Sequence, residues 1–457
     1  MELGSNKESR KNEFIENPQK ALWKLAMPMM FGMSVQAIYM LVDTAFIGKW
    51  VGPTGLAAMG YIFPFMFFLM GITFGLGTGA TSVIAKYIGS DRKDDADNTA
   101  EHTIMLGLFI YAIILFVSFF AGEGLIKLQG ADKVATQAAM DYFSIMILGS
   151  IFMILGVFFR SILSGEGDNV FPMKVLGVGT ILNILLDYPF IKYYGIKGAA
   201  VATVISQGLV FAIFVYYLIF KHHSYIEFKL QDFKYNPKIL SDIFKIGIPA
   251  SLSMIIMSIG ILIYNVILTS AFGGSAEGNN AVAAYQTAGR VEHLFFLPII
   301  SIATALVTLV GMFSGANRID LVKDIVKYGL SRSIAISVLF SIFFYRFNHQ
   351  IISGFTNDVN IIAHAVEYFS VLVLAYPFIT IGMTCSRVMQ GLGYGAPTLI
   401  LTILRVVVIN SAFAWFFVII QGRPVIFAWY SLLISCSITS VVSILWMQSK
   451  IKSFSVV

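Results

Sequence analysis

Residues 22–47, LWKLAMPMMFGMSVQAIYMLVDTAFI, decide the fold class because they form an apolar stretch long enough to cross a bilayer as a helix. At 1.5 Å per residue, about twenty helical residues span roughly 30 Å of hydrocarbon. Similar stretches recur along the chain, and they lack the polar–apolar alternation of transmembrane β-strands. The sequence therefore predicts an all-α polytopic membrane protein.

The composition excludes several other classes of protein. Of the 457 residues, 57% are hydrophobic and 12% are charged, and the charged share is about half that of a soluble domain. This excludes a cytosolic enzyme, a disordered chain and a secreted disulfide scaffold. The two cysteines, Cys385 and Cys436, lie in apolar stretches without Cys/His clusters, so no structural metal site or cofactor is expected. The net charge of +6 indicates basic cytoplasmic loops and not nucleic-acid binding.

Twelve transmembrane spans are predicted, at residues 22–47, 56–86, 101–121, 136–163, 172–192, 198–220, 243–272, 281–314, 328–346, 362–390, 397–419 and 425–447. The first is expected to stay uncleaved, because the polar residues 1–20 precede it and no small-residue cleavage site follows it. If the spans alternate, about 22 of the 31 Lys and Arg residues fall on the side of both termini. The positive-inside rule places that side in the cytoplasm, so we expect an inner-membrane protein.

The two halves of the sequence resemble each other, which predicts an internal duplication. Four short motifs recur in order at a spacing of 221 or 226 residues: Lys24–Pro28 with Lys245–Pro249, Leu56-Ala-Ala with Val282-Ala-Ala, Gly89–Arg92 with Gly315–Arg318, and Gly165–Gly167 with Gly391–Gly393. Because each repeat holds an even number of spans, the two six-helix lobes share an orientation and are related by a pseudo-two-fold axis along the membrane normal. The predicted segments are 1–20 (cytoplasmic), 21–220 (N-lobe), 221–242 (linker), 243–449 (C-lobe) and 450–457 (tail).

Two lobes of this kind suggest a transporter with alternating access. A channel or membrane enzyme does not need the arrangement, and the chain has no HExxH and no paired catalytic motif. We therefore predict no enzymatic activity.

Two acidic residues inside the spans are the main candidates for function. An ionised residue at mid-span costs roughly 2.5–3.5 kcal/mol on insertion scales. Asp43 shares a helix face with Tyr39 and Gln36, which precede it by four and seven residues. Asp187 likewise shares a face with Asn183. The alternative is that each acid hydrogen-bonds a neighbouring helix and has only a structural role.

Depth in the membrane brings these groups together. Asp43, Asp187, Thr203 and Tyr142 all lie about five or six residues inside the outer ends of their spans, which predicts one acidic pocket in the N-lobe. Two close carboxylates in a low dielectric take up protons or bind a cation. Carboxylate, amide and hydroxyl oxygens suit a hard cation, so the candidate Na⁺ ligands are Tyr39, Asn183, Asp187 and Thr203. The predicted substrate-binding residues are Gln36, Asp43, Tyr142 and Asn183.

Other polar groups in the spans have weaker assignments. Pro28 is a candidate hinge because an interior proline removes a helix hydrogen bond, although a static kink is the alternative. In the second half, Arg290 and Glu292 do not share a face, and pairing with other helices is the favoured role. Arg405 is expected to pair with carbonyl groups or to snorkel.

Several of these motifs together resemble the multidrug and toxic compound extrusion (MATE) transporters, most closely the DinF-type prokaryotic branch. The resemblance extends over about residues 20–450 and rests on these motifs: Pro28 with Tyr39-x-x-x-Asp43, the loops Gly89–Arg92 and Gly315–Arg318, the turn Gly165–Asp168, and Asn183-x-x-x-Asp187. It implies a twelve-helix fold in two six-helix lobes and H⁺- or Na⁺-coupled export of lipophilic, often cationic compounds. It also implies cation or proton binding at Asp43, Tyr39, Asn183, Asp187 and Thr203, and bending of the first helix at Pro28. We separately expect a monomer in the lipid membrane.

Two rival transporter classes remain at this stage. A lipid-linked oligosaccharide flippase of the same superfamily usually has extra spans and a strongly basic cavity. A major facilitator transporter shares the six-plus-six plan, but its central loop is longer than the 22 residues of segment 221–242.

Overall fold

The computed structural model describes residues 10–129, 133–221, 224–228, 233–273, 275–356 and 358–454, apart from the side chains of residues 39–41, 45, 53, 54, 56, 57 and 276. Regular structure within these ranges is entirely helical. The helices are α1 (Lys11–Glu16), α2 (Pro18–Trp50), α3 (Pro53–Gly89), α4 (Lys93–Leu128), α5 (Lys133–Glu166), α6 (Val170–Val215), α7 (Pro237–Ala271), α8 (Ala276–Gly315), α9 (Ile319–Ser353), α10 (Val359–Gly391), α11 (Ala396–Ile420) and α12 (Ile426–Phe454). A π-helical turn, Tyr216–Phe220, extends α6, and much of α11 is π-helical.

The predicted count of twelve spans is confirmed once α6 is divided. Eleven helices of the described ranges are long and apolar enough to cross a bilayer, and α6 with its extension, Val170–Phe220, has 51 residues. A continuous helix of that length measures about 76 Å, more than twice the hydrocarbon thickness. Non-helical angles at Gly195, φ 60° and ψ −138°, interrupt it, so α6 holds the fifth and sixth predicted spans.

The turn at Gly195 is tight because glycines form it. The angles at Gly195 are strained for any residue that carries a Cβ. Three residues later, a Cβ on Gly198 would lie 2.0 Å from the carbonyl oxygen of Phe190. The chain therefore reverses direction closely, and the second half of α6 packs beside the first.

The chain divides into two compact units. The first comprises Met1–Glu16 and Met27–Gly247, and the second comprises Asn17–Ala26 and Ile248–Val457. In the first unit α5 packs against α3 and α6, and in the second α10 packs against α8 and α12. Each unit has a core of buried apolar side chains, centred on residues such as Phe143 in the first and Trp429 in the second.

Backbone geometry repeats between the units at the matched motifs. Asp91 and Asn317, which are 226 residues apart, both have φ 57°. Gly167 and Gly393, at the same spacing, have φ 89° and 92°. Because a positive φ is uncommon for residues other than glycine, its recurrence at Asp91 and Asn317 shows that the duplication extends to the turns.

Candidate functional site

Asp43 and Asp187, the two predicted acids, are both buried in the first unit. Asp43 in α2 is 5% exposed and Asp187 in the first half of α6 is fully buried. The two carboxylates lie close enough for the charge of Asp43 to act on Asp187. The Oδ1 atom of each is buried without a hydrogen-bond partner among the described residues. An ionised carboxylate in such surroundings is costly unless a proton or cation neutralises it.

Asn183 joins Asp187 to the second half of α6. With its amide oriented so that both polar atoms are satisfied, its Nδ2 donates to Asp187 Oδ2 at 2.9 Å and its Oδ1 accepts from the Thr203 backbone N–H at 3.3 Å. Asn183 and Thr203 are 3% and 5% exposed. The reversal at Gly195 makes this contact possible, because it turns Thr203 back towards Asn183. The structure therefore brings together Asn183, Asp187 and Thr203.

For the other predicted site residues, the structure gives the helix in which each lies and, where described, how far its side chain is buried. Tyr142 in α5 is 6% exposed and belongs to the apolar core of the first unit. Gln36 is half-buried in α2, two turns before Asp43. Tyr39 lies in α2, but its side chain is outside the part of the chain that the structure describes. Pro28 is inside α2, one residue after the chain enters the first unit at Met27.

Sequence reasoning missed an aromatic contact beside the acids. The ring of Trp50, at the end of α2, meets the ring of Tyr188 edge to face at 5.5 Å. Tyr188 directly follows Asp187, and Phe46 packs on Trp50 at 5.1 Å. These rings join the end of α2 to the first half of α6. In the sequence, the available signal was that Tyr188 directly follows Asp187 and that Phe46 and Trp50 follow Asp43 within seven residues. This signal is weak, because 14% of the residues are aromatic.

The second unit contains a half-buried acid in a different environment. Glu292 in α8 accepts from the Tyr376 hydroxyl at 2.7 Å and from the Tyr368 hydroxyl at 3.0 Å, both in α10. Both of its oxygens therefore accept a hydrogen bond, whereas Oδ1 of Asp43 and Oδ1 of Asp187 have no partner among the described residues. This agrees with the hypothesis that Glu292 pairs with another helix. Arg290, two residues earlier, is exposed.

These features define a class of protein. Twelve apolar spans, two duplicated units and two buried acids within the spans are typical of a polytopic membrane transporter. A family model described as MatE matches residues 28–189 and 249–416, which is most of the chain and covers both repeats. The chain belongs to the MATE family of multidrug efflux transporters, so the resemblance seen in the motifs is confirmed.

Individual relatives agree with this assignment. The chain is 28% identical over 404 residues to a probable multidrug resistance protein NorM of Thermotoga maritima, with 86% of this chain and 84% of that protein covered. It is similar to the solved outward-facing structure of a multidrug resistance MATE family transporter, with a TM-score of 0.90 and 31% identity over 99% of this chain and 98% of the other. A MATE solved in a bent conformation also has a TM-score of 0.90 and 31% identity, with 96% of each chain covered.

Proposed function

We propose that the chain is an antiporter that couples the entry of H⁺ or Na⁺ to the export of lipophilic, often cationic compounds. The observation that carries the proposal is that two buried oxygens, Asp43 Oδ1 and Asp187 Oδ1, have no hydrogen-bond partner among the described residues. Coupling needs a group that exchanges its cation at a stage of the cycle, and a salt-bridged or fully hydrogen-bonded acid holds its charge too firmly for that role.

In this proposal the acid pair changes charge during each cycle. When the pocket opens to the outside, a cation neutralises one carboxylate and removes the repulsion between the two. This lowers the cost of burial and favours a state in which the exported compound binds weakly. When the pocket opens to the cytoplasm, the cation leaves and a new substrate binds beside the ionised pair. We place Gln36, Tyr142 and Asn183 in the substrate cavity, with both termini in the cytoplasm and a monomer as the working unit.

The hydrogen bonds of Asn183 support H⁺ over Na⁺ as the first candidate. Its amide donates to Asp187, and its oxygen is occupied by the Thr203 N–H. In that amide orientation, a Na⁺ ion that used the Asn183 oxygen as a ligand would need the amide to turn and the Thr203 contact to break. A proton needs neither change.

The test is drug efflux from liposomes that contain the purified protein, driven either by an imposed pH gradient or by an imposed Na⁺ gradient. We expect the pH gradient to drive efflux. Efflux driven only by the Na⁺ gradient would assign the pocket to Na⁺, and a response to neither gradient would exclude an antiporter.

The matched variant is Asp43→Asn, which keeps the shape of the side chain and removes its charge. We expect it to lower gradient-driven efflux at least about tenfold, which corresponds to about 1.4 kcal/mol. The control is Asp94→Asn, because Asp94 is an exposed acid in α4 of the same unit. Asp94→Asn should transport at the rate of the unmodified protein. If Asp43→Asn also transports at that rate, Asp43 has no role in coupling.

A further inference from the structure

The start of the described chain is fixed to the first unit by charged contacts. Arg10 donates through Nη1 to the carbonyl oxygen of Gly167 at 2.6 Å and through Nη2 to Asp168 Oδ2 at 3.0 Å. The next residue, Lys11, places its Nζ 2.5 Å from Asp91 Oδ2. Phe14, in α1, is fully buried. Residues 10–14 are therefore held on two of the turns that the internal duplication singled out.

The Arg10 contact is the stronger of the two ion pairs. The Asp168 side chain is only 6% exposed, and its Oδ1 also caps α6 by accepting from the N–H groups of Val170 and Phe171. Burial lowers the pKa of Arg10, but the hydrogen bond and charge of Asp168 outweigh it, so the pKa stands above its ordinary value. Asp91 is 75% exposed, and solvent weakens its pair with Lys11.

A few residues later the same chain packs in the other unit. Residues Asn17–Ala26 belong to the second unit, where Trp23 donates through Nε1 to the Tyr328 hydroxyl at 3.1 Å. Leu22 and Leu25 are fully buried there. At Met27 the chain returns to the first unit. Within eighteen residues it is thus fixed to one unit, then to the other, then to the first again.

The inter-lobe linker is held to a single unit. The Ser224 hydroxyl donates to Glu166, and the Glu227 N–H donates to Asp97 at 3.0 Å. The Asn236 N–H donates to His102 Nε2 at 2.9 Å. All of these residues lie in the first unit, which continues to Gly247. The described parts of the linker therefore stay within the first unit, whereas residues 10–27 pass to the second unit and back.

We propose that residues 10–14 form a latch that detaches from the first unit during each transport cycle. The inference rests on the proposed alternating access, in which the two units move relative to each other. Residues 17–26 move with the second unit, and three residues of extended chain from Phe14 to Asn17 reach at most about 10 Å. A larger displacement of this segment breaks either the latch or the helix that follows it. The latch is the weaker element, because its described contacts run through side chains and one of them goes to the 75% exposed Asp91, whereas the helix is held by its backbone hydrogen bonds.

The test locks the latch with a disulfide. Lys11→Cys and Asp91→Cys are introduced together into a protein whose Cys385 and Cys436 are replaced by Ala, and efflux from liposomes is measured before oxidation, after oxidation and after reduction. We expect oxidation to lower efflux at least about tenfold and reduction to restore it. The control pair is Lys93→Cys with Glu227→Cys, which replaces a 3.7 Å ion pair between α4 and the linker inside the first unit. Oxidation of that pair should leave efflux unchanged.

The outcomes separate the latch from the transport function. Undiminished efflux after the Lys11–Asp91 lock has formed overturns the latch and leaves the antiporter proposal intact. Absence of efflux from both reduced double variants and from the parent protein contradicts the transport function itself.

A second measurement does not depend on disulfide formation. The single variant Lys11→Cys is labelled with a maleimide at rest and during gradient-driven efflux. We expect Lys11→Cys to be labelled several-fold faster during efflux than at rest. When Arg10→Gln is added to Lys11→Cys, we expect the labelling rate at rest to approach the rate seen during efflux. Equal labelling at rest and during efflux overturns the latch.

Discussion

At the scale of single residues, the acids Asp187 and Glu292 inside the spans differ in how their oxygens are satisfied. Glu292 accepts from two tyrosine hydroxyls, whereas Asp187 accepts from one amide N–H, and its other oxygen has no partner in the part of the chain that the structure describes. A buried polar atom without a partner costs free energy that folding must offset elsewhere. In the proposed transport cycle, a cation binds this atom for part of the cycle. Asp187 and Asp43 therefore fit a coupling role, and Glu292 fits a role in holding α8 to α10.

The role of Asn183 can be tested by Asn183→Leu, which keeps the volume of the side chain and removes its hydrogen bonds. Loss of a hydrogen bond to a charged group costs about 1.5–3 kcal/mol. We expect coupled efflux to fall at least about tenfold, because Asp187 then takes up its cation at a different pH and no longer cycles. The measurement is efflux as a function of external pH, and a profile identical to that of the unmodified protein would contradict this role.

The structural role of Glu292 predicts a different pattern. In Glu292→Leu the hydroxyls of Tyr368 and Tyr376 lose their acceptor, and each unsatisfied buried group costs about 1–3 kcal/mol. Glu292→Gln retains one acceptor oxygen and should lose less. We expect the melting temperature in detergent to fall in the order unmodified, Gln, Leu, with efflux scaling with the amount of folded protein. A stable Glu292→Gln protein without efflux would instead place Glu292 in the transport machinery.

At the scale of elements, the break in α6 positions the candidate site. Without the reversal at Gly195, Thr203 would lie about 30 Å along the helix from Asn183, since twenty residues separate them at 1.5 Å each. With the reversal, the Thr203 N–H contacts the Asn183 amide. The backbone conformation at Gly195 thus decides whether Asn183 and Thr203 can contact each other.

Two glycines of α6 provide a matched test of this point. A Cβ on Gly195 meets nothing within 4 Å, and the same is true of Gly177, but only Gly195 has a positive φ. Gly195→Ala should therefore destabilise the protein by about 1–3 kcal/mol through backbone strain alone. Gly177→Ala should leave the stability unchanged or raise it by up to about 1 kcal/mol, because alanine favours a helix. Thermal unfolding of the two variants measures the difference, and equal melting temperatures would show that the turn accepts a Cβ.

At the scale of the whole molecule, two of the three points where the chain passes from one unit to the other lie beside matched prolines. The chain passes between units at Ala26–Met27 and again at Gly247–Ile248. Pro28 and Pro249 follow these positions by one residue each. A proline inside a helix removes a hydrogen bond to the preceding turn and makes bending easier there. The prolines thus weaken α2 and α7 at the points where each helix leaves one unit for the other.

This placement predicts that Pro28→Ala stiffens α2 and slows transport. We expect efflux to fall several-fold while the melting temperature holds or rises, since the helix gains a hydrogen bond. The control is Pro64→Ala, because Pro64 also lies inside a long helix, α3, but wholly within the first unit. An equal loss of efflux in both variants would argue against a special role for the crossing point.

The sequence alone predicted the helical membrane fold, the twelve spans, the duplication and the family, together with the acids worth testing. These properties follow from local chemistry: an apolar stretch of sufficient length must be a helix in lipid, and a charge within it is costly enough to stand out. Spacing on one helix also placed Asn183 on the face of Asp187, where the structure shows the hydrogen bond.

Only the tertiary structure decided which polar groups contact one another across segments. The pairing of Asn183 with Thr203 depends on the backbone angles at Gly195, and the contacts of Glu292 depend on the packing of α8 against α10. The placement of residues 17–26 in the second unit and the ion pair between Arg10 and Asp168 are likewise not indicated by any local pattern in the sequence. Helix periodicity reports which face of a segment is polar, whereas the partner of that face is set by how distant segments pack together.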